Sequence, residues 1–141
     1  MLDTFDVLDV FIVHYHKLTE RKKYLVNLFK NIEDSKLLNI RVHFFENIDR
    51  DTLSDEHLAM YKYDPELWTK MNAVWRETNA TPRPLNKAEI ACAVTHLEIY
   101  KQMVNNDING IQYSLILEDD VIIKDSVDIF IDKLKCIMKD I

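Results

Sequence analysis

The sequence predicts a single α/β domain built around a mostly parallel β-sheet. Two largely apolar runs, residues 10–13 and residues 113–117 with one serine, are typical of strands that are covered on both faces. A helical pattern separates the first run from a strand-like run at residues 40–45, which makes a βαβ unit and favours parallel pairing. The 141 residues, 48% apolar and 30% charged, suffice for one compact core and are too few for two. We therefore expect residues 1–141 to form one domain.

The first strand ends in the polar residues 14–17 and is followed by a helix. Thr19 is expected to cap this helix, since threonine is a common N-cap residue. Four apolar residues keep helical spacing and should form the buried face, namely Leu25, Leu28, Phe29 and Ile32. The strand at residues 40–45 then completes the unit.

The middle of the chain does not continue this alternation of strands and helices. Residues 54–61 have the pattern of a short helix, and Asp64-Pro65 supplies a cap and a first-turn proline for another. That second helix would carry an apolar stripe formed by Leu67, Trp68, Met71, Val74 and Trp75. Such a stripe packs against its own domain or, alternatively, supports a homo-oligomer. Residues 76–84 are expected to form an internal linker or mobile loop, because their two prolines favour extended backbone.

The second half of the chain repeats the helix and strand pattern. The motif at residues 86–89 resembles a capping box, which predicts a helix that runs to about Asn105. Its expected buried stripe comprises Ile90, Val94, Leu97 and Val104. Gly110 then turns the chain into the strand at 113–117, and a final helix begins at about Asp125. The residues expected to be buried on that last helix are Val127, Phe130, Ile131, Leu134 and Ile137.

Composition excludes several classes of function. A formal net charge of −6 provides no basic surface for a phosphate backbone, so we do not expect nucleic acid as a partner. No apolar run approaches the roughly 20 residues of a membrane span, and the acidic start lacks the basic residues of a secretory signal. We expect a cytoplasmic protein in which Cys92 and Cys136 remain thiols. Since Gly110 is the only glycine, Walker and dinucleotide-binding glycine loops are excluded.

Three carboxylates, Glu118, Asp119 and Asp120, follow directly after the apolar strand at 113–117. Open α/β sheets bind ligands at the carboxyl ends of their parallel strands, so we expect a functional site at this position. Because side chains alternate along extended backbone, Glu118 and Asp120 are expected to point to one side and to share an ion. A hard divalent cation, Mn²⁺ or Mg²⁺, would relieve the charge repulsion and can bridge the phosphates of a nucleotide-sugar. The alternative is a solvated strand end or an acidic start to the last helix.

A second set of chemically versatile side chains lies on the helix that begins near residue 86. Glu89, Cys92 and His96 are spaced i, i+3 and i+7, so they share one face. Two good ligands without a CxxC motif make a weak zinc site. The alternative gives each side chain a structural role, with Glu89 in the capping box, Cys92 in the core and His96 in a satisfied hydrogen bond.

Two segments carry a resemblance to a known family. Residues 85–97, with the sequence LNKAEIACAVTHL, and residues 115–121, with the sequence LILEDDV, resemble glycosyltransferase family 25. This family groups bacterial lipopolysaccharide and lipooligosaccharide galactosyltransferases with collagen galactosyltransferases. The strand at 11–13 with Arg21 behind it, and the turn at 44–49, resemble further parts of the family pattern.

The resemblance implies a Rossmann-like GT-A fold, truncated relative to a full GT-A domain, in a metal-dependent hexosyltransferase of lipopolysaccharide biosynthesis. It also implies a UDP-sugar donor, a Mn²⁺ or Mg²⁺ ion, and inverting transfer to a hydroxyl of a glycan or glycosylated acceptor. The implied metal ligands are Glu118 and Asp120. The implied donor contacts are Glu118, Asp119, Asp120, Glu89, His96, Arg21, Asn47 and Asp49. No residue is assigned as the catalytic base.

Three positions depart from the family pattern. Ala88 and Ala91 stand where the pattern has glycines, and Thr95 stands where it has a serine. Threonine keeps the hydroxyl, whereas the alanines change how closely a ligand can approach the backbone. Two hypotheses follow. The chain is a glycosyltransferase or its donor-binding half, or it is an inactive relic that binds a nucleotide-sugar or a protein partner.

Overall fold

The computed structural model describes residues 7–60, 66, 85–107 and 113–139, and the architecture below is that of these residues. Its strands are β1 (Val7–Val13), β2 (Asn39–Phe45) and β3 (Tyr113–Glu118). Its helices are α1 (Thr19–Ser35), α2 (Asp55–Met60), α3 (Lys87–Asp107) and α4 (Val127–Lys139). The α/β class that the sequence predicts is confirmed.

The strands form a parallel sheet in the order β2-β1-β3. Val10 of β1 pairs with Val42 on one side and with Leu115 on the other. Five consecutive residues of β1 are buried, which confirms that this strand is covered on both faces. The same expectation is wrong for β3, whose side chains are half-buried or exposed, because β3 lies at the edge of the described sheet.

Alternate side chains of β1 enter two different layers. Leu8, Val10 and Ile12 join the main core, to which α1 and α4 also contribute. The helical residues buried there are Leu25, Phe29 and Ile32 of α1, with Ile131 and Met138 of α4. Phe11 is fully buried as well and belongs to the other face of the strand, where α3 packs. The buried face predicted for α1 is thereby confirmed. Its fourth residue, Leu28, is partly buried and packs against this core.

An ion pair between a buried carboxylate and a more exposed arginine joins β1 to β2. Asp9 is fully buried and accepts two hydrogen bonds from the Arg41 guanidinium, at 2.9 and 2.7 Å. His43 Nε2 lies 2.9 Å from the same carboxylate, and the His43 ring stacks on Phe11 with centroids 5.0 Å apart. A carboxylate inside a sheet requires such partners, because an unpaired buried charge is strongly destabilising.

α1 begins at Thr19, and the expectation that Thr19 caps it is wrong. Leu18 occupies the N-cap position, and among the described residues no side chain caps the helix. The chain enters α1 through a backbone turn instead, in which the Leu18 N–H donates to the Tyr15 carbonyl at 2.8 Å. This turn places Thr19 inside the helix, one residue beyond the position from which a hydroxyl caps.

α3 begins with the predicted capping box. Asn86 Oδ1 accepts hydrogen bonds from the N–H groups of Ala88 and Glu89, at 2.9 and 3.0 Å. Glu89 Oε2 accepts one from the Asn86 N–H at 2.8 Å, which completes the reciprocal pair. The box fixes the start of a helix whose first turns border the candidate site.

The inward face of α3 differs from the predicted stripe. Ile90 and Val94 are buried as expected, but Leu97 and Val104 are 40% and 65% exposed. The other buried residues are Ala91, Thr95 and Ile99. These three are spaced i, i+4 and i+8, so the face that meets the sheet is rotated away from Leu97.

α4 begins at Val127, close to the predicted start near Asp125. Most of its expected inward residues lie in or against the core, namely Val127, Phe130, Ile131 and Leu134. The prediction is wrong for Ile137, which is 57% exposed, while Met138 takes the buried position. Met138 lies two turns after Ile131, so it continues the same inward line.

Several predicted features lie outside the described residues: the cap at 64–65, the stripe at 67–75, the loop at 76–84 and the turn at Gly110. The short helix predicted at 54–61 is present as α2. Within the described ranges no helix is long and apolar enough to cross a membrane. Cys92 and Cys136 are both free thiols, as predicted.

Candidate functional site

Three loops leave the carboxyl ends of the parallel strands at one edge of the sheet. Residues 14–18 follow β1, residues 46–54 follow β2, and residues 119–126 follow β3. Because β1 is the central strand, its loop lies between the other two. Open α/β sheets bind their ligands at this edge. The polar contacts among the three loops therefore define the candidate site.

Asp119, the middle carboxylate of the acidic turn, is almost completely buried. Its Oδ2 lies 2.9 Å from His14 Nδ1 and accepts a hydrogen bond from the Tyr15 backbone N–H at 3.1 Å. Its Oδ1 accepts one from Arg21 Nη1 at 2.7 Å. Both oxygens are thus engaged within the protein. Asp119 joins the turn after β3 to the loop after β1 and to the first turn of α1.

The His14 side chain is fully buried. Because a carboxylate oxygen accepts hydrogen bonds, we assign His14 Nδ1 as the donor in this contact. Nε2 is also buried and has no hydrogen-bond partner among the described residues. Phe44 approaches the imidazole edge-on, with ring centroids 6.0 Å apart. The Asp119 contact is therefore the polar interaction that fixes this ring.

A second polar cluster joins the loop after β1 to the loop after β2. His16 Nδ1 lies 2.6 Å from Asp49 Oδ2, and Asp49 Oδ1 accepts from the Asp51 N–H at 2.7 Å. The Asp51 carboxylate in turn accepts from Lys17 Nζ at 2.6 Å and from the Tyr15 hydroxyl at 2.9 Å. Three of these contacts join the loop after β1 to the loop after β2, and the contact between Asp49 and Asp51 lies within the second loop. Together they hold the two loops next to each other at the candidate site.

Arg50 completes this cluster. Its Nη2 donates to the Tyr15 hydroxyl at 3.3 Å, and its guanidinium carbon lies 5.0 Å from the centre of the Tyr15 ring. The hydrogen bond with Tyr15 raises the pKa of Arg50. The hydrogen bond to Asp51 raises the pKa of Lys17, and the same bond lowers the pKa of Asp51. All three groups are therefore charged at neutral pH.

The outer carboxylates of the acidic turn have different surroundings. β3 ends at Glu118, and Asp119 and Asp120 lie in a turn, so the strict alternation of an extended strand does not reach Asp120. Glu118 Oε1 lies 4.0 Å from Cys92 Sγ on α3. Asp120 is exposed, and its charge adds to the Asp119 hydrogen bond in raising the pKa of Arg21.

Cys92 and His96 lie one turn apart on α3. His96 Nδ1 donates to the Cys92 carbonyl at 2.9 Å and lies 3.7 Å from Cys92 Sγ. Burial, and then the charge of Glu118, raise the pKa of the Cys92 thiol. The thiol is therefore neutral at pH 7, which does not suit a nucleophile. In the part of the chain that the structure describes, no three His, Cys, Asp or Glu side chains are grouped to hold a metal ion.

A cavity of about 190 Å³ lies between the loops after β1 and β2 and the first turns of α3. Its lining includes Tyr15 and Arg50 from the loops and Ala88, Ala91, Cys92 and Thr95 from α3. The Thr95 hydroxyl lies 3.2 Å from the Ile48 carbonyl, so it connects α3 to the loop after β2. Ala88, Ala91 and Thr95, the positions that depart from the family pattern, therefore all border this cavity.

The sequence matches a known family along nearly its whole length. A family profile described as "Glycosyltransferase family 25 (LPS biosynthesis protein)" matches residues 7–140. The chain belongs to glycosyltransferase family 25. It is also similar to the "Procollagen lysyl hydroxylase and glycosyltransferase" of Acanthamoeba polyphaga mimivirus, with 23% identity over 120 residues. That match covers 82% of this chain and 12% of the viral protein, and no solved structure matches the chain significantly.

In this family 25 chain, some of the residues predicted to form the site lie in contact with one another, and others lie apart. Arg21 and Asp119 are in direct contact, and Asp120 is near enough to influence Arg21. Asp49 borders the 190 Å³ cavity. Asn47 instead lines a second cavity, of about 440 Å³, on the β2 side of the loop. The acidic turn and the first cavity are thus linked through the loop after β1.

The two predicted residues on α3 have structural contacts. Glu89 belongs to the capping box, and His96 donates to the carbonyl of Cys92. The 190 Å³ cavity is lined by neither of them. Their roles as donor contacts stay predictions, as do those of Glu118 and Asp120 as metal ligands.

Sequence reasoning missed the loop after β1 as a source of site residues. His14, Tyr15, His16 and Lys17 all make contacts that hold the three loops together. One signal was present, because these residues directly follow the most buried strand, at the edge where such sheets bind ligands. The pairing with Asp51 had no signal in the sequence, since it depends on the sheet register.

Proposed function

We propose that the chain is the nucleotide-sugar-binding part of a glycosyltransferase, with UDP-galactose or UDP-glucose as the donor. The observation that carries this proposal is the family match over residues 7–140, which spans all three loops at the carboxyl edge of the sheet. The resembling segments at 85–97 and 115–121 fall on α3 and on β3 with its acidic turn, which supports the same assignment. The viral relative is named in part as a glycosyltransferase, although this chain covers 12% of it.

Glu118 and Asp120 are the side chains proposed to hold Mn²⁺ or Mg²⁺. Carboxylate oxygens are the ligands that hard cations prefer, and both residues are exposed. Asp119 is unsuited, because both of its oxygens already accept hydrogen bonds within the protein. Two protein carboxylates leave coordination positions for water and for substrate phosphates, as is usual for Mg²⁺. A cation held there would neutralise the charge that develops on the departing diphosphate.

The remaining residues have simpler proposed roles. Arg21 carries a positive charge beside the acidic turn and offsets part of its negative charge. Asp49 borders the 190 Å³ cavity, and its two oxygens are engaged by His16 and by the Asp51 N–H, so a contact of Asp49 to the donor would replace one of these hydrogen bonds. Transfer would proceed with inversion to a hydroxyl of a glycan, such as that of a lipopolysaccharide. Such a reaction requires a base within hydrogen-bond reach of that hydroxyl, and none of the described residues is assigned to this role.

Titration calorimetry with UDP, UDP-galactose and UDP-glucose, with and without Mn²⁺, tests the binding part of the proposal. We expect UDP to bind with Mn²⁺ and to bind much more weakly without it. Asp120→Ala should abolish the Mn²⁺ dependence, whereas Asp128→Ala, which removes an exposed acid from α4, should leave it intact. Binding that is absent, or that does not respond to Mn²⁺, would contradict the proposal.

A turnover assay then separates a transferase from a binding module. Release of UDP from the bound donor, as hydrolysis or as transfer to an added glycan, is expected for an enzyme. Metal-dependent binding without any release of UDP would instead identify a nucleotide-sugar-binding module that has lost catalysis.

A further inference from the structure

Three hydrogen-bond donors or cations converge on the carboxylate of Asp51. Asp51 Oδ2 accepts from Lys17 Nζ at 2.6 Å and from the Tyr15 hydroxyl at 2.9 Å. Arg50 Nε lies 4.0 Å from Asp51 Oδ1, and Arg50 also donates to the Tyr15 hydroxyl. Two positively charged side chains and one hydroxyl thus surround a single anionic group.

This cluster shares residues with both parts of the candidate site, namely the contacts of Asp119 in the acidic turn and the 190 Å³ cavity. Tyr15 is the link, because its backbone N–H donates to Asp119 while its hydroxyl donates to Asp51. Tyr15 and Arg50 also border the 190 Å³ cavity. The donors that hold Asp51 thus share Tyr15 and Arg50 with the lining of the cavity, and share Tyr15 with the contacts of Asp119.

The hydrogen bonds of Asp51 are short, but the side chains that form them are exposed to solvent. The side chains of Lys17, Arg50 and Asp51 are 58%, 57% and 44% exposed. Ion pairs between exposed groups contribute little net free energy, since water and salt compete for both partners. A phosphate group carries more negative charge than a carboxylate and offers three acceptor oxygens, so it can replace the carboxylate on the same donors.

We propose that Asp51 is an internal anion that occupies a phosphate-binding subsite formed by Lys17, Tyr15 and Arg50. A phosphate-bearing ligand displaces the Asp51 carboxylate and takes over its hydrogen bonds. That the phosphate belongs to the donor's diphosphate rests on the proposed function, whereas the subsite itself does not. Asp51 consequently lowers the affinity of the chain for phosphate ligands and acts as a built-in competitor.

Titration of the full chain with inorganic pyrophosphate, at low ionic strength and with metal removed by a chelator, tests this inference. Asp51→Asn removes the competing charge and keeps an oxygen that can accept from Tyr15. We expect it to bind pyrophosphate about fivefold more tightly than the wild type, the equivalent of one exposed ion pair. The matched control is Asp55→Asn, which removes the same charge from an exposed residue at the start of α2.

A second pair of variants tests which cation holds the phosphate. In the Asp51→Asn background, Lys17→Met should remove the gain in affinity. Lys23→Met, which removes an exposed lysine of α1 instead, should keep the gain. The inference is overturned if Asp55→Asn produces the same gain, if Lys17→Met leaves the gain unchanged, or if Asp51→Asn binds no pyrophosphate.

The outcomes also distinguish this inference from the proposed function. Mn²⁺-dependent UDP binding together with an Asp51→Asn variant that gains nothing would overturn the inference and leave the proposed function standing. A gain that depends on Lys17, in a chain that binds no UDP with Mn²⁺, would support the phosphate subsite and contradict the proposed function.

Discussion

Replacement of Asp119 is expected to destabilise the fold far more than replacement of its neighbour Asp120. Asp119→Ala removes the acceptor for His14 Nδ1 and for the Tyr15 N–H, which lie 2.9 and 3.1 Å away. Hydrogen bonds to a charged group contribute roughly 1.5–3 kcal/mol each, and His14 would be left buried without a polar partner. We therefore expect a loss of about 3–5 kcal/mol in the free energy of unfolding. The contact with the more exposed Arg21 adds little to this figure.

Urea unfolding followed by far-UV circular dichroism measures the difference. With a slope of about 2 kcal/mol per molar urea, the expected loss lowers the midpoint by about 1.5–2.5 M. Asp120→Ala changes an exposed residue and should shift stability by less than about 0.5 kcal/mol. Asp119→Asn keeps one acceptor and should fall between the two. The reasoning is refuted if both Asp119 variants unfold at the same urea concentration as Asp120→Ala.

Two further predictions concern α3. Asn86→Ala removes the acceptor of the capping box and should lower the free energy of unfolding by about 1 kcal/mol, measured by the same urea titration. An unchanged midpoint would show that the box does not stabilise the helix. Because burial and Glu118 raise the pKa of Cys92, its neutral thiol contributes stability that is present below about pH 8.5 and is lost as pH rises through the raised pKa. At pH 8, iodoacetamide should modify the exposed Cys136 before Cys92, as followed by mass spectrometry, and Glu118→Gln should accelerate the Cys92 reaction. Equal rates at the two thiols would contradict this assignment.

The parts of the fold that depend on burial could be predicted from the sequence. β1 is apolar at consecutive positions because both of its faces are covered, and this pattern distinguishes a central parallel strand from other strands. The rotation of α3 could not be predicted in the same way. Leu97 belongs to an apolar pattern that several faces of the helix could satisfy, and the sheet selects the face that carries Ala91 and Thr95.

The candidate site could be predicted in position but not in its internal contacts. The location of the acidic turn follows from its place after an apolar strand. The different surroundings of its three carboxylates do not follow, because Asp119 is buried by contacts with His14 and Tyr15, which lie 105 and 104 residues away in the chain. Such contacts depend on the order and register of the strands, and the sequence carries no local sign of them.

The most direct measurement of the central claim is electron paramagnetic resonance of Mn²⁺ in the presence of the chain and UDP. Free Mn²⁺ gives a six-line signal that weakens when the ion is bound. If Glu118 and Asp120 hold the ion together with the donor's phosphates, the signal with protein and UDP falls well below the signal with the same concentration of UDP alone. It should recover in the Asp120→Ala variant. A Mn²⁺ signal with wild-type protein and UDP that equals the signal with UDP alone would contradict the account.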